Sequence, residues 1–205
     1  MEDIKIRNFQ PEDLKQVAGI IANAFRDDLL KLVNLPEDRM VEFLIKTGEV
    51  FPCPHDGYIV AEKDGIILGI IQLSWLKQDK PRIKLQISKI LHYGFYTTIK
   101  LLVMRYLFPE RPKKGVCHVA EIAVLNKARK KGIATKLLLF GEKLAQTKGL
   151  CKYTLHVDAR NNAAFNLYKK MGFKIEKKHK NLLARWLMGV KEWYFMTQYL
   201  KPSVE

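Results

Sequence analysis

The sequence predicts an α/β (α+β) chain: a mixed sheet with helices on its faces. Three observations carry this. The apolar pattern alternates between a period of two and a period near 3.6, in the order β α α β β, an interruption, then β α β α β β. Asp64-Gly65 separates two β-rich runs, and both positions tolerate positive φ, as a tight hairpin requires. VCHVAEIAV, at 116–124, is almost continuously apolar, as a central buried strand is.

IKIRNF (4–9) alternates as a first strand. QPEDLKQVAGIIANAF follows, with Pro11 and two acids where a helix begins, and Leu14, Val17, Ile20, Ile21 and Ala24 recur on one helical face. EDRMVEFLIKTG (37–48) is a second helix, and GYIVAEKDGIILGIIQLSW is the hairpin. Residues 81–108 are mostly helical by spacing, with a break at Gly94 and a loop at 109–114. Next come the 116–124 strand, a glycine turn, and a helix with Ile133, Leu137, Phe140 and Leu144 on one stripe, ending near Gly149. CKYTLHV (151–157) is a strand that this helix should make parallel to 116–124. NNAAFNLYKKM is a helix stopped by Gly172, FKIEKK a strand, NLLARWLMG a short apolar segment, and EWYFMTQYL (192–200) the last strand.

The 205 residues, 48% of them hydrophobic, suit one folded domain over 1–205 and argue against disorder. The start, MEDIKIRNF, lacks a signal-peptide pattern. The three cysteines, Cys53, Cys117 and Cys151, are odd in number and widely spaced, which predicts reduced thiols in the cytoplasm. His92, Lys100 and Arg105 interrupt the apolar run at 90–108, whereas a membrane span needs about 20 mostly apolar residues; no span is expected. A net charge of +15 implies either an anionic partner or a lysine-rich solvated surface.

The turn ARKKGIATKLL (128–138) is the first candidate site. A helix start presents unpaired N–H groups, and Gly132 and Ala134 keep side chains away from them, so an anion fits there. A plain glycine turn with a solvated basic face explains the turn alone equally well. Neither the G-x-x-x-x-G-K-[ST] nor the G-x-G-x-x-G phosphate pattern is present.

The stretch IAVLNKARKKGIATKLL resembles the acetyl-CoA signature of the GCN5-related N-acetyltransferase (GNAT) family, V-x-P-x-x-(R/Q)-x-x-G-x-(G/A), through Val124, Arg129, Gly132 and Ala134. Asn126 stands where the family has proline. NNAAFNLYKKMGF resembles the family's N-x-x-A-x-x-L-Y-x-x-x-G-F through Asn161, Ala164, Leu167, Tyr168, Gly172 and Phe173. The two blocks occur in the family's order, with a helix and a strand between them. The resemblance implies the GNAT fold: a mostly antiparallel mixed sheet of six to seven strands with a splayed central parallel pair, here with a helical insertion at about 80–114.

It further implies acyl transfer from acetyl-CoA to the primary amine of a small molecule or peptide. The coenzyme A diphosphate would lie on the backbone of Arg129, Lys130, Lys131, Gly132, Ile133, Ala134 and Thr135. The pantetheine would pair with the strand edge at Ile122, Ala123 and Val124, and Asn161 would touch the cofactor. An N–H at Ile122 would stabilise the oxyanion. Tyr168 matches the family's general acid, and a phenol of pKa about 10 suits a thiolate of pKa about 8.5. Two residues compete as base. His156 stands twelve residues before Tyr168, where N-terminal acetyltransferases of the family carry a base, and Glu121 is a lone carboxylate in an apolar strand. His118 and the cysteines show no metal-ligand spacing, so no metal is expected.

The family's acceptor enters between the first two helices and the loop joining the last two strands, where Phe25, Trp75, Tyr93 and Trp186 would line a pocket or serve as core. The insertion suits a lid, a homodimer surface or a cover. Two other functions stay open. KKMGFKIEKKHK is basic enough for a nucleic-acid- or ribosome-associated protein, and a catalytically silent acyl-CoA sensor would carry the same turn.

Overall fold

The period-two runs become strands of one sheet. A computed structural model describes residues 4–33, 35–48, 50, 54–78, 90–107, 113–180, 182 and 191–201. In chain order the elements are β1 (Lys5–Asn8), α1 (Leu14–Ala24), α2 (Arg26–Leu32), α3 (Glu37–Thr47), β2 (Tyr58–Lys63), β3 (Ile66–Trp75), α4 (Phe95–Leu107), β4 (Val116–Val124), α5 (Ile133–Thr147), β5 (Lys152–Asp158), α6 (Asn162–Lys170), β6 (Lys174–Lys180) and β7 (Glu192–Tyr199). The strands lie in the order β1-β2-β3-β4-β5-β7-β6. Among these pairs, β4 with β5 is parallel and the others are antiparallel. The sheet is therefore the mixed, mostly antiparallel one expected.

The hairpin expectation holds. Lys63 pairs with Ile66 across a two-residue turn in which Asp64 (φ 50°) and Gly65 (φ 76°) are both left-handed. The first helix differs from expectation. Pro11–Asp13 form a 3-10 turn, α1 starts at Leu14, and the chain leaves helical geometry at Phe25 (φ −110°, ψ 22°) before winding α2. RDDLLKL is short and has too weak an apolar period to announce itself. Asp13 fixes this corner: it accepts the Gln10 N–H at 2.8 Å and two Arg7 N–H groups at 2.6 and 2.9 Å. Arg7 also donates to Glu62 at 2.6 Å, tying β1 to β2. Burial alone would raise the Asp13 pKa, but these hydrogen bonds and the guanidinium charge together hold it below its ordinary value.

Each sheet face has its own core. On one face α1 and α3 bury Val17, Ile20, Ile21, Phe43 and Leu44 against Tyr58, Val60 and Ile70. On the other, α5 and α6 bury Ile133, Leu137, Leu138 and Tyr168 against Ile71, Leu73, Tyr153, Leu155 and Met196. In the insertion, α4 sends Leu101 into the first core, Lys100 Nζ donates to Lys31 O at 2.5 Å, and Phe95, Tyr96, Ile99 and Leu102 face outward. Gly94 (φ 103°) breaks the chain there as expected; residues 81–89, 109–112, 181 and 183–190 lie outside the described residues. Lys174, Lys177, Lys178 and Lys180 are exposed on β6, an edge strand, where lysine discourages pairing with another chain. Phe173 beside them is buried, as the family pattern implied.

Two glycines with no local sequence signal seat α5. A Cβ on Gly69 would stand 3.0 Å from Ala123 O and 3.1 Å from Ile133 Cγ2; one on Gly141 would stand 2.5 Å from the buried Tyr153 hydroxyl. The close approach sets the start of α5 against the ends of β3 and β4. Gly141→Ala should lower stability by up to about 2 kcal/mol despite its better helix propensity, because overpacking costs about 1–3 kcal/mol and Ala gains only about 1. Denaturant unfolding measures this; an unchanged or higher midpoint would show that Tyr153 yields freely.

Candidate active site

The site begins where β4 and β5 stop pairing. Their ladder runs from Val116↔Lys152 to Val119↔Leu155. Beyond it β4 continues along β3 to Val124↔Gly69, while β5 continues along β7 to Asp158↔Trp193. A bulge marks the fork: Gln72 pairs with Glu121 but Leu73 with Val119, so Ala120 is the extra residue on β4. A bulge bends its strand and raises local twist, which carries β4 away from β5.

At the top of β4 the chain turns through Asn126–Ala128 and Lys130 (φ 61°) to Gly132 (φ 76°), the N-cap of α5. A Cβ at Gly132 would meet nothing within 4 Å, so the left-handed φ, not crowding, makes glycine suit this place. The first bond of the helix is Lys136 N to Gly132 O at 3.0 Å, which leaves the preceding amides directed outward at the positive end of a 15-residue helix. Arg129, Lys130 and Lys131 are exposed, and Arg129 Nε folds back to Val124 O at 3.3 Å. An extended diphosphate-bearing ligand fits this arrangement: amides for the anion and a diverging strand edge at Ile122–Val124 for its arm.

The candidate acid and bases lie on opposite faces. Tyr168 points from α6 into the α5 side, 5% exposed, its ring edge-on to Phe173 at 5.9 Å. Burial pushes its phenol up to about 12, further from a thiolate than the sequence suggested. Glu121 and His156 are on the α1 side. Glu121 is half-buried and its charge helps raise the Tyr58 phenol, though burial of that phenol is the larger cause.

His156 is the first β5 residue past the last β4 pair. The residue has an exposed edge, yet its ring sits among Phe195 at 5.0 Å, His118 at 5.2 Å and His179 at 6.3 Å. Desolvation of the ring, then repulsion from His118 and His179, lowers its pKa to about 4. In the sequence His118 stands out only as a metal-ligand candidate; its place beside His156 depends on the register that joins 118 to 154, which is not visible in one strand alone. Among the described residues no group of three or more His, Cys, Asp or Glu side chains is placed to hold a metal.

The family model for the Acetyltransferase (GNAT) family matches residues 29–173. The chain belongs to the GNAT family of acetyltransferases. An N-alpha-acetyltransferase of Sulfurisphaera tokodaii is 31% identical over 174 residues, 84% of this chain and 81% of that relative. The N-terminal acetyltransferase complex ARD1 subunit homolog of Dictyostelium discoideum is 40% identical over 105 residues, 50% of this chain, which spans 49% of that relative's length. The crystal structure of Ard1 from Thermoplasma volcanium superposes with a TM-score of 0.60 at 16% identity, over 97% of this chain and 98% of that one, and shows the shared fold.

The GNAT fold sorts the remaining candidates. Asn161 caps α6, its Oδ1 accepting the Ala164 N–H at 3.1 Å, a task its sequence motif did not reveal. Phe25 and Tyr93 belong to the α1-side core, Tyr93 edge-on to Phe43 at 4.9 Å. Trp75, left open between pocket and core, is core: it faces α5 in the opposite cluster, with Lys148 over its ring at 5.8 Å. Strand alternation decides this, since Trp75 pairs with inward-facing Cys117. Trp186 and Cys53 lie outside the described residues. Cys117 is buried, which pushes its thiol up to about 12, and Cys151 is exposed. No helix among the described residues is long and apolar enough to cross a membrane.

Proposed function

We propose that the chain transfers an acetyl group from acetyl-CoA to the α-amino group of a polypeptide, with His156 as general base and Tyr168 as general acid. The observation that carries this is the β4/β5 gap, with Tyr168 on one face and His156 on the other. A thioester laid along the turn and the β4 edge reaches the gap from the α5 side, and an amine reaches it from the α1 side. The acid then serves the departing sulfur while the base serves the attacking nitrogen.

The choice of an α-amine rests on proton affinity. A base of pKa about 4 stands roughly six pH units below a lysine ammonium of about 10.4, but only about four below an α-ammonium of about 8. At neutral pH an α-amine is also free some hundredfold more often. The names of the S. tokodaii and D. discoideum relatives agree with this acceptor. A peptide with a free N-terminus and no lysine should therefore show kcat/KM about 100-fold above that of an N-blocked peptide carrying one lysine, read as released thiol at pH 7.5. Equal or reversed values would move the acceptor to lysine or a small amine. Absence of turnover with every amine would favour the acyl-CoA sensor.

A further inference from the structure

His118 and Thr154 are cross-strand partners one pair before β4 and β5 separate. His118 Nδ1 lies 2.9 Å from Thr154 Oγ1. Thr154 is 2% exposed, and its hydroxyl donates to Cys117 O at 3.4 Å. A hydroxyl has one proton, so toward His118 it accepts, and Nδ1 is the ring nitrogen that carries hydrogen. Nε2 then keeps its lone pair. The His118 ring meets the His156 ring at 5.2 Å, edge to face, and both lie over Phe195, at 6.4 and 5.0 Å.

Resting on the reading of His156 as base, we propose that His118 is the second half of that base: Thr154 holds it as the Nδ1–H tautomer, and Nε2 receives the proton that His156 takes from the acceptor ammonium. Thr154 is a positioning residue, acting through His118. One ammonium proton goes to His156, then to His118, then to solvent. The nitrogen–carbon bond forms and the carbon–sulfur bond breaks. Tyr168 gives its proton to the sulfur and regains one from the acylated nitrogen, so each turnover releases one proton. The pair explains how a weakly basic His156 can serve: the proton need not stay on it. Among the described residues, charged side chains on the strands that flank the pair include Glu121 on β4, Asp158 on β5 in its pairing with Arg160, and His179, Lys177 and Glu176 on β6, the last bound by Thr197 Oγ1 at 2.5 Å.

The test compares Thr154→Val, Thr154→Ser and His118→Gln in the full chain, with nitrogen NMR of the imidazoles and pH profiles of kcat/KM. The native protein should show His118 as the Nδ1–H tautomer. Thr154→Val should keep acetyl-CoA affinity within about twofold, lower kcat about tenfold, leave the acid limb where the acceptor's amine sets it and turn His118 toward the Nε2–H tautomer. Thr154→Ser should restore both kcat and tautomer, which a packing role for the threonine would not require. His118→Gln should lose about tenfold in kcat. A native Nε2–H tautomer, or kcat within twofold of native for both Thr154→Val and His118→Gln, overturns the proposal. If His118→Gln stays active while His156→Ala does not, the relay fails and the base stands; if His156→Ala is also active, the underlying reading has failed instead.

Discussion

Tyr168→Phe lowers kcat about 100-fold and leaves the dissociation constant for acetyl-CoA within about threefold, because the substitution removes one proton donor and keeps the ring. The ring is what α6 needs. It is buried against Phe173 in the α5-side core, so phenylalanine preserves the packing and the fold should be retained. The phenol, raised to about 12 by burial, stays protonated across the working range, so the basic limb of the native profile should not report it. Donation to a thiolate of about 8.5 is uphill by roughly three to four pH units, so the transfer must be coupled to carbon–sulfur cleavage. Steady-state kinetics with calorimetric cofactor titration separate the two quantities. An unchanged kcat would remove Tyr168 from the acid role.

His156→Ala should lower kcat/KM for an N-terminal peptide by about 100-fold or more, whereas Glu121→Gln should cost less than about tenfold. Both side chains face the α1 side of the sheet, so the comparison is direct. His156 stands at the mouth of the gap with an exposed edge, and its lowered pKa keeps it able to accept a proton down to about pH 5. The acid limb of native kcat/KM should therefore follow the acceptor's own amine, near pH 8 for an α-amine. Stability gives an independent reading. Unfolded, the imidazole titrates near 6.5, and folded it is lowered toward 4, so the unfolded state binds the extra proton between those values. The native protein loses stability as pH falls through that window, and His156→Ala should lose less. Reversed kinetic losses, with Glu121→Gln the more damaging, would make the carboxylate the base.

Much of this site is legible in the sequence because local rules govern it. Gly132 at a helix start, Asp64-Gly65 between strands, and the two spaced blocks around Arg129 and Tyr168 are short-range signals. The bulge was not: VCHVAEIAV is nearly continuously apolar, and the step of three from Val119 to Ile122 among the residues facing α5 shows only once β4 is paired with β3. What stayed hidden depends on register between distant strands. Trp75 falls on the α5 side because it pairs with Cys117, and His118 meets Thr154 and His156 because β4 lies beside β5. α2 escaped because seven residues make too short a pattern, and the tight seats at Gly69 and Gly141 appear only when α5 is laid on the sheet.

Passage of an acetyl group through the β4/β5 gap, from one face of the sheet to an amine on the other, is visible in a crystal structure with acetyl-CoA. The diphosphate should lie on the amides of residues 130–135, and the thioester carbonyl should stand in the gap between Tyr168 and His156. An ordered cofactor whose thioester lies outside that gap would contradict the account.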